Sequence, residues 1–343
     1  MRGGRFLAIE RAQISAGLDL SGFIRLSGLD HVPDVLKRCV VAIGNFDGFH
    51  RGHQHVFAAL KERAKERGVA AVVLTFEPHP RDVFAPEPVM FRLTAADAKA
   101  RLAEALGLDG IVIMPFNREF SQIEAEDFVS RFLIKALDVS RVIVGEDFHF
   151  GHNRRGTPDF LRQAGIDNGF AVETLDLLDE NGGPISSSRV REALRRSDLA
   201  TANELLGYHW FVEGEVIHGD RRGRELGFPT ANVAAPTVFG LAQGVYAVKA
   251  RLGERLFDGV ASYGKPMFDN HRPPFETWLF DFDEDIYGQH LSVALIGHVR
   301  GQMVFSGLDE LVAAVNRDAD AARAILANAA PISELDKRLG FFG

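Results

Sequence analysis

Residues Gly44–His53 read GNFDGFHRGH, with three glycines and with His50 and His53 three positions apart. The run follows an apolar stretch and precedes a helical pattern. Glycines let backbone approach a ligand closely. The first turn of a helix offers unpaired N–H groups and the positive end of its dipole, which suits phosphate. Two imidazoles there can hydrogen-bond phosphate oxygens and stabilise charge on a phosphorus under attack. A substrate that carries its own phosphate oxygen needs no nucleophile from the protein. Two plainer readings stand beside this one: a capped helix with surface histidines, and a zinc pair. HExxH is missing, as is cysteine support, and the GK[ST] of a Walker A loop is absent.

Two further segments have suitable chemistry. Ser186, Ser187, Ser188, Arg189 and Arg191 open a second helical pattern, where hydroxyls, backbone N–H groups and guanidinium forks can grip a triphosphate. Taken alone, the segment equally reads as a capped helix with solvated arginines. His218–Asn232 (HGDRRGRELGFPTAN) is a basic, glycine-rich loop leading into Pro-Thr-Ala-Asn. Backbone N–H groups and arginines of such a loop, with Gly219, Arg222 and Gly227 as candidates, can cover ATP phosphates. Thr230 and Asn232 alternate along one strand and share a face, so each can offer oxygen to Mg²⁺, which also keeps waters and phosphate oxygens. The plainer alternative is an exposed, mixed-charge hairpin.

The elements that hold these segments alternate. Apolar strand patterns at 39–45, 69–76, 110–116, 140–148 and 170–178 are separated by helical patterns at 53–67, 94–106, 125–137 and 157–164. Thr94 is the expected cap of the second helix, and Gly68 and Gly107 the expected stops. Strands apolar throughout and alternating with helices predict a parallel, Rossmann-like α/β sheet covered on both faces, with ligands at the carboxyl ends of the strands. Residues 1–38 read as an irregular lead-in with one short strand. Two short helices over 188–206 end this part. From Tyr208, short alternating strands (211–218, 244–252, 255–263, 275–282, 290–299) predict a small antiparallel barrel or sandwich closed by a helix over 308–327. The expected units are 1–38, 39–200 and 207–343.

The 343 residues, of which 46% are apolar, can fill more than one core. A net charge of −8 argues against a broad nucleic-acid surface. With Cys39 alone, no internal disulfide or cysteine-rich metal cluster can form, which fits a reducing cytoplasm. No run approaches the ~18 apolar residues of a membrane span. Self-association is not derivable from these features.

GNFDGFHRGH resembles the HxGH motif of the nucleotidyltransferase superfamily. TFEPHP (75–80), FNREFSQIEAEDFV (116–129), VGEDFHFGHNRRG (144–156) and ISSSRVREAL (185–194) match, in order, the first module of prokaryotic bifunctional riboflavin kinase/FMN adenylyltransferases. HGDRRGRELGFPTAN, GVYAV (244–248) and FETWLFDFDEDIYG (275–288) resemble the riboflavin kinase module. The resemblance implies phosphorylation of riboflavin to FMN in the second module and adenylylation of FMN to FAD, releasing pyrophosphate, in the first. Both use ATP and Mg²⁺. It implies that His50 and His53 stabilise the α-phosphate and that Gly44, Phe46 and Gly48 shape the adenine and phosphate turn. By the same resemblance Ser187, Ser188, Arg189 and Arg191 would close that ATP site, and Asn117 and Asp147 would contact flavin or ribose. It further implies that Thr230 and Asn232 hold Mg·ATP and that Glu276 is the general base for the riboflavin 5′-hydroxyl; a cross-strand ion pair is the plainer role for Glu276. Departures from the family pattern are His149 for a frequent Arg, Ser262-Tyr263-Gly264 for Asn-Ile-Gly, Lys265-Pro266-Met267 for Arg-Pro-Thr, and Trp278 for His. The alternatives to bifunctionality are an enzyme with the adenylyltransferase alone and a non-catalytic flavin sensor.

Overall fold

The structure is a computed structural model that describes residues 22–176, 178–180, 183–218, 227–234, 238–264 and 275–343. Gly219, Arg222 and Met267 therefore lie outside the described residues, as do Lys265 and Pro266.

The first half is a six-stranded parallel sheet in the order β1-β4-β3-β2-β5-β6. Its strands are β1 (Ile24–Ser27), β2 (Val40–Ile43), β3 (Ala71–Glu77), β4 (Gly110–Pro115), β5 (Arg141–Gly145) and β6 (Ala171–Leu175). All four β2 residues and the first six of β3 are buried, as strands covered on both faces must be. The strand expected in the lead-in is β1, which pairs with β4 as an edge of this sheet. Chain order reverses direction at β2, between β3 and β5, the crevice where open α/β sheets bind ligands.

Helices α1 (Arg51–Arg67), α2 (Pro80–Phe84), α3 (Ala96–Ala105), α4 (Ala125–Phe128, continued by a π-helical stretch Val129–Ala136) and α5 (Pro158–Asn168) flank the sheet. Helix α1 begins two residues before the expected His53, because the imidazole of His50 caps it. At its other end Gly68, with φ 64°, takes the left-handed conformation that stops a helix. Thr94 does not cap α3. Ala95 holds the cap position without a side-chain bond, and the Thr94 hydroxyl is instead bonded to Asp47 and Gly48.

Two residues each form the hairpin strands β7 (Asp179–Glu180) and β8 (Gly183–Pro184). Helices α6 (Ser187–Arg195) and α7 (Leu199–Leu206) follow, and the chain runs from α7 directly into a barrel. The barrel strands are β9 (Phe211–Ile217), β10 (Thr230–Val233), β11 (Gly244–Leu252), β12 (Arg255–Tyr263), β13 (Phe275–Leu279) and β14 (His290–Gly301). They close in the order β10-β13-β12-β11-β14-β9, antiparallel throughout. Helix α8 (Leu308–Leu326) covers one outer face through Ala319, Ala322 and Leu326 packed on Val245, Ala247, Val260 and Phe280. Helix α9 (Glu334–Arg338) docks near the junction of the halves, where its buried Asp336 accepts from the His209 backbone N–H at 3.0 Å.

The halves share one apolar core. Phe91, from the first half, meets Trp210 and Phe239 of the second edge-to-face, with ring centroids 5.8 Å away in each case. The Trp210 indole N–H donates to Leu93 O (2.8 Å) and the Tyr208 hydroxyl to Gly48 O (2.8 Å).

Candidate active sites

The turn after β2 is held from below. Asp47, 4% exposed, accepts from the backbone N–H groups of Leu93 and Thr94 (both 3.0 Å) and pairs with the Arg191 guanidinium. Arg191 also donates Nε–H to Phe91 O (2.6 Å), and Ser187 Oγ donates to Asp47 O (2.8 Å). The expected anion grip at 187–191 is thus stapled to GNFDG across 140 and 144 positions of sequence. In this arrangement Arg191 spans protein groups. Arg189 donates to Gly183 O (2.7 Å), Ser186 caps α6, and Ser188 is exposed.

Gly48 has φ +85°, and a Cβ there would lie 2.7 Å from Leu93 Cδ1. Only glycine suits both the backbone and the space. A Cβ on Gly44 would come within 3.0 Å of the Phe46 ring, which itself stands edge-on to His53 at 5.2 Å.

His50 and His53 do come together. Their rings stack with centroids 3.6 Å apart and 20° between planes. His50 Nδ1 faces the His53 backbone N–H at 3.4 Å, which assigns Nδ1 as the acceptor and leaves the proton on Nε2. Burial pushes His50 down to about 4. Burial, then the neighbouring His50 and Lys99, hold His53 well below the ordinary imidazole value. Both rings are therefore neutral N–H donors at neutral pH. His53 Nδ1 is buried and bonds to no described residue.

Sequence reasoning missed Asp47 as the staple and Lys99 beneath the turn. Lys99 is 2% exposed, and its Nζ lies 2.8 Å from Glu77 Oε1, in an ion pair whose angles are not those of a hydrogen bond. It donates to Asn45 O at 3.0 Å. The signal was available: Lys99 stands in the apolar stripe of α3 with Ala98, Leu102 and Ala103.

Asn117 and Asp147 are exposed, beyond the carboxyl ends of β4 and β5. Asn117 Oδ1 accepts from the Phe120 N–H (2.7 Å), and His149 Nδ1 contacts Asp147 O at 2.9 Å. Between these loops runs a row of rings, Phe116–Phe120–Phe128–Phe150–Phe148, with centroid spacings of 5.1–6.5 Å.

In the barrel, register brings the second set together. Asn232 is paired with Glu276, Glu276 with Ser262, and Thr230 with Trp278. Partners in an antiparallel pair point to the same side, and residues two apart share it. Thr230, Asn232, Glu276, Ser262 and Trp278 therefore lie on one face, while Ala231, Thr277, Val233 and Phe275 form the other. Gly227 has φ +86° at the turn before Phe228, and Phe228 meets Trp278 edge-on at 5.1 Å. Trp278 also packs on Phe280 (5.4 Å) beside α8.

Comparison with known proteins divides the chain in the same way. A family model described as FAD synthetase matches residues 32–189, and one described as riboflavin kinase matches 206–326. The bifunctional riboflavin kinase/FMN adenylyltransferase of Escherichia coli K12 is 40% identical over 287 residues, covering 83% of this chain and 92% of that protein. The Bacillus subtilis protein of the same name is 36% identical over 288 residues, covering 82% and 90%. A crystal structure of a macrolide-efflux protein from Streptococcus pneumoniae superposes with TM-score 0.75 and 27% identity, over 90% of this chain and all of that one.

Proposed function

The chain belongs to the bifunctional riboflavin kinase/FMN adenylyltransferase family, and from that premise we propose which of its residues carry the two reactions. It is a transferase that phosphorylates riboflavin with ATP and adenylylates the resulting FMN to FAD. The assignment to residues is ours. Adenylyl transfer takes place over Gly44–His53, within the unit 39–200, and riboflavin phosphorylation at Thr230, Asn232 and Glu276, within 207–343. The observation that carries the first assignment is the stacked, desolvated pair His50 and His53 at the start of α1.

In adenylyl transfer, an oxygen of the FMN phosphate attacks the α-phosphorus of ATP. A new P–O bond forms as the bond to the β-phosphate oxygen breaks, and pyrophosphate leaves. Neutral imidazole N–H groups hydrogen-bond the α-phosphate oxygens as charge concentrates there, with the helix N-terminus behind them. Ser187 and Ser188 stand at the opening of α6 beside the triphosphate. The partly exposed Phe116, Phe120 and Phe148 between the Asn117 and Asp147 loops, backed by the buried Phe128 and Phe150, supply flat apolar surface for the isoalloxazine.

In the barrel, Glu276 takes the proton of the riboflavin 5′-hydroxyl as its oxygen attacks the γ-phosphorus and ADP departs. Asn232 lies beside it in the next strand, so nucleophile and phosphate are held on one face. The donor pair there, the Thr230 hydroxyl and the Asn232 amide oxygen, would suit a Mg²⁺ that also keeps waters and phosphate oxygens. Such an ion neutralises phosphate charge when bound. Trp278 and Ser262 share this face with Thr230, Asn232 and Glu276, and the presence of all three of the latter favours a working kinase over a chain with one activity. A single buried cysteine fits a reducing cytoplasm, and among the described residues no helix is long and apolar enough to cross a membrane.

The test is a separation of activities. His53→Ala should stop FAD formation from FMN while riboflavin still gives FMN. Glu276→Ala should stop FMN formation while supplied FMN still gives FAD. Equal damage to both steps by either variant would refute the division.

A further inference from the structure

The floor beneath the Gly44–His53 turn contains a charge that the reaction as described does not use. Lys99 projects from α3 into the core. Besides its ion pair with Glu77, its Nζ donates to Asn45 O (3.0 Å) and Thr75 Oγ1 (3.3 Å). The Thr75 hydroxyl, itself fully buried, also donates to Asn45 O (2.9 Å). Two donors from below thus hold the Asn45 carbonyl toward the core. Arg92 completes the group on Glu77 Oε2 (2.6 Å).

The Asn45–Phe46 peptide is trans. In a trans peptide the carbonyl and the next N–H point to opposite sides of the chain. A carbonyl fixed toward Lys99 therefore turns the Phe46 N–H away from Lys99, and Asn45, the residue before it, is exposed. The neighbouring N–H of Gly48 is engaged by Thr94 Oγ1 (2.9 Å) and is not free for this role. Burying a lysine costs free energy unless it is paired and hydrogen-bonded, and here every contact goes to this turn or to the end of β3 beneath it.

We propose that Lys99 is a positioning residue for adenylyl transfer, locking the Asn45–Phe46 peptide so that the Phe46 N–H is a preset donor to the triphosphate. This rests on the reading of Gly44–His53 as the adenylyl site. A donor fixed before the substrate arrives does not have to reorganise during reaction, which is why such groups are effective.

The chain contains a single Asn-Phe sequence, at 45–46. Labelling Asn at the carbonyl carbon with ¹³C and Phe at the amide with ¹⁵N therefore isolates one resonance in the full-length protein. Inorganic pyrophosphate should move the Phe46 amide downfield. The variant is K99M/E77Q, in which the carboxylate is not left buried without its cation. There the pyrophosphate-dependent shift should vanish and kcat for FMN-to-FAD should fall ~10²-fold, with riboflavin phosphorylation unchanged as evidence of a folded chain. A wild-type Phe46 amide that does not respond, or a variant that keeps the shift whatever its rate, overturns the proposal. His53→Ala in parallel separates the two levels. If His53→Ala keeps FAD formation, the site itself is misread. If it loses FAD formation while K99M/E77Q keeps it, only the role of Lys99 fails.

Discussion

Asp47→Ala tests the staple between the adenylyl turn and the junction. Asp47 and Arg191 are 4% and 8% exposed, and the carboxylate also takes the N–H groups of Leu93 and Thr94. Removing one partner of a buried ion pair costs ~3–5 kcal/mol, because the other charge is left uncompensated. The Arg191 bond to Phe91 O does not replace that charge, so ~4 kcal/mol is expected for Asp47→Ala. Removing both charges in D47A/R191M should cost well below the sum of the single changes, with a coupling of at least ~1.5 kcal/mol. The chain has two tryptophans. In a Trp278→Phe background the remaining Trp210, bonded to Leu93 O, reports the junction by fluorescence during urea unfolding. FAD formation should fall in the single variants, while riboflavin phosphorylation persists wherever the barrel stays folded. A loss below ~1 kcal/mol in Asp47→Ala, or strict additivity in the double variant, would show that the pair is not a structural staple.

Three shorter predictions follow from the same geometry. His50 stands at about 4 in the folded chain against 6.5 for a free imidazole. The unfolded chain thus binds more protons between these values, so stability rises with pH through that window and is lost as pH falls. From pH 7 to pH 4.5 His50 should account for ~2.5 kcal/mol of lost stability, and urea midpoints of His50→Gln should lack this part of the decline; parallel curves would contradict it. Gly48→Ala forces φ +85° on a residue with a Cβ only 2.7 Å from Leu93 Cδ1, so urea unfolding should show a loss of ~1–3 kcal/mol along with weaker FAD formation. Chelating divalent cations should stop both conversions, and added Mg²⁺ should restore them. Either reaction running at full rate in excess chelator would remove Mg²⁺ from the account of that step.

The periodic parts of the molecule were readable before any coordinates. Buried parallel strands are continuous apolar runs, and α1 announces itself by an apolar stripe and the stop Gly68. Thr157 caps α5, accepting from Phe160 N–H at 3.1 Å. Thr94 sits in the same kind of position yet serves Asp47, because a buried carboxylate 47 residues earlier competes for its hydroxyl. Such long-range polar contacts have no period to detect. Asp47–Arg191 was invisible for that reason, although both residues lay inside motifs. The β1 pairing with β4 joins segments 86 positions apart at Ile24 and Gly110, and four residues are too few to show alternation. In the barrel, the shared face of Thr230 and Asn232 followed from the period of two, but that Glu276 stands opposite Asn232 required the register.

The way the barrel closes has a consequence for the order of folding. Among the described residues β9 pairs with β10 at two positions, whereas five of its residues pair with β14, Phe211 with Ala294 among them. On the ribosome, the parallel sheet is complete once residue 175 has emerged, more than 100 residues before β14 ends at 301. Closing contacts that distant in sequence makes barrel formation the slow event. During that interval Tyr208 and Trp210 already have their partners, Gly48 O and Leu93 O, in the connecting segments of the first half. The first half thus acts as a template that anchors the start of β9 while the rest of the barrel is still being synthesised. A chain whose halves were exchanged in order would lose that anchor at the time it is needed.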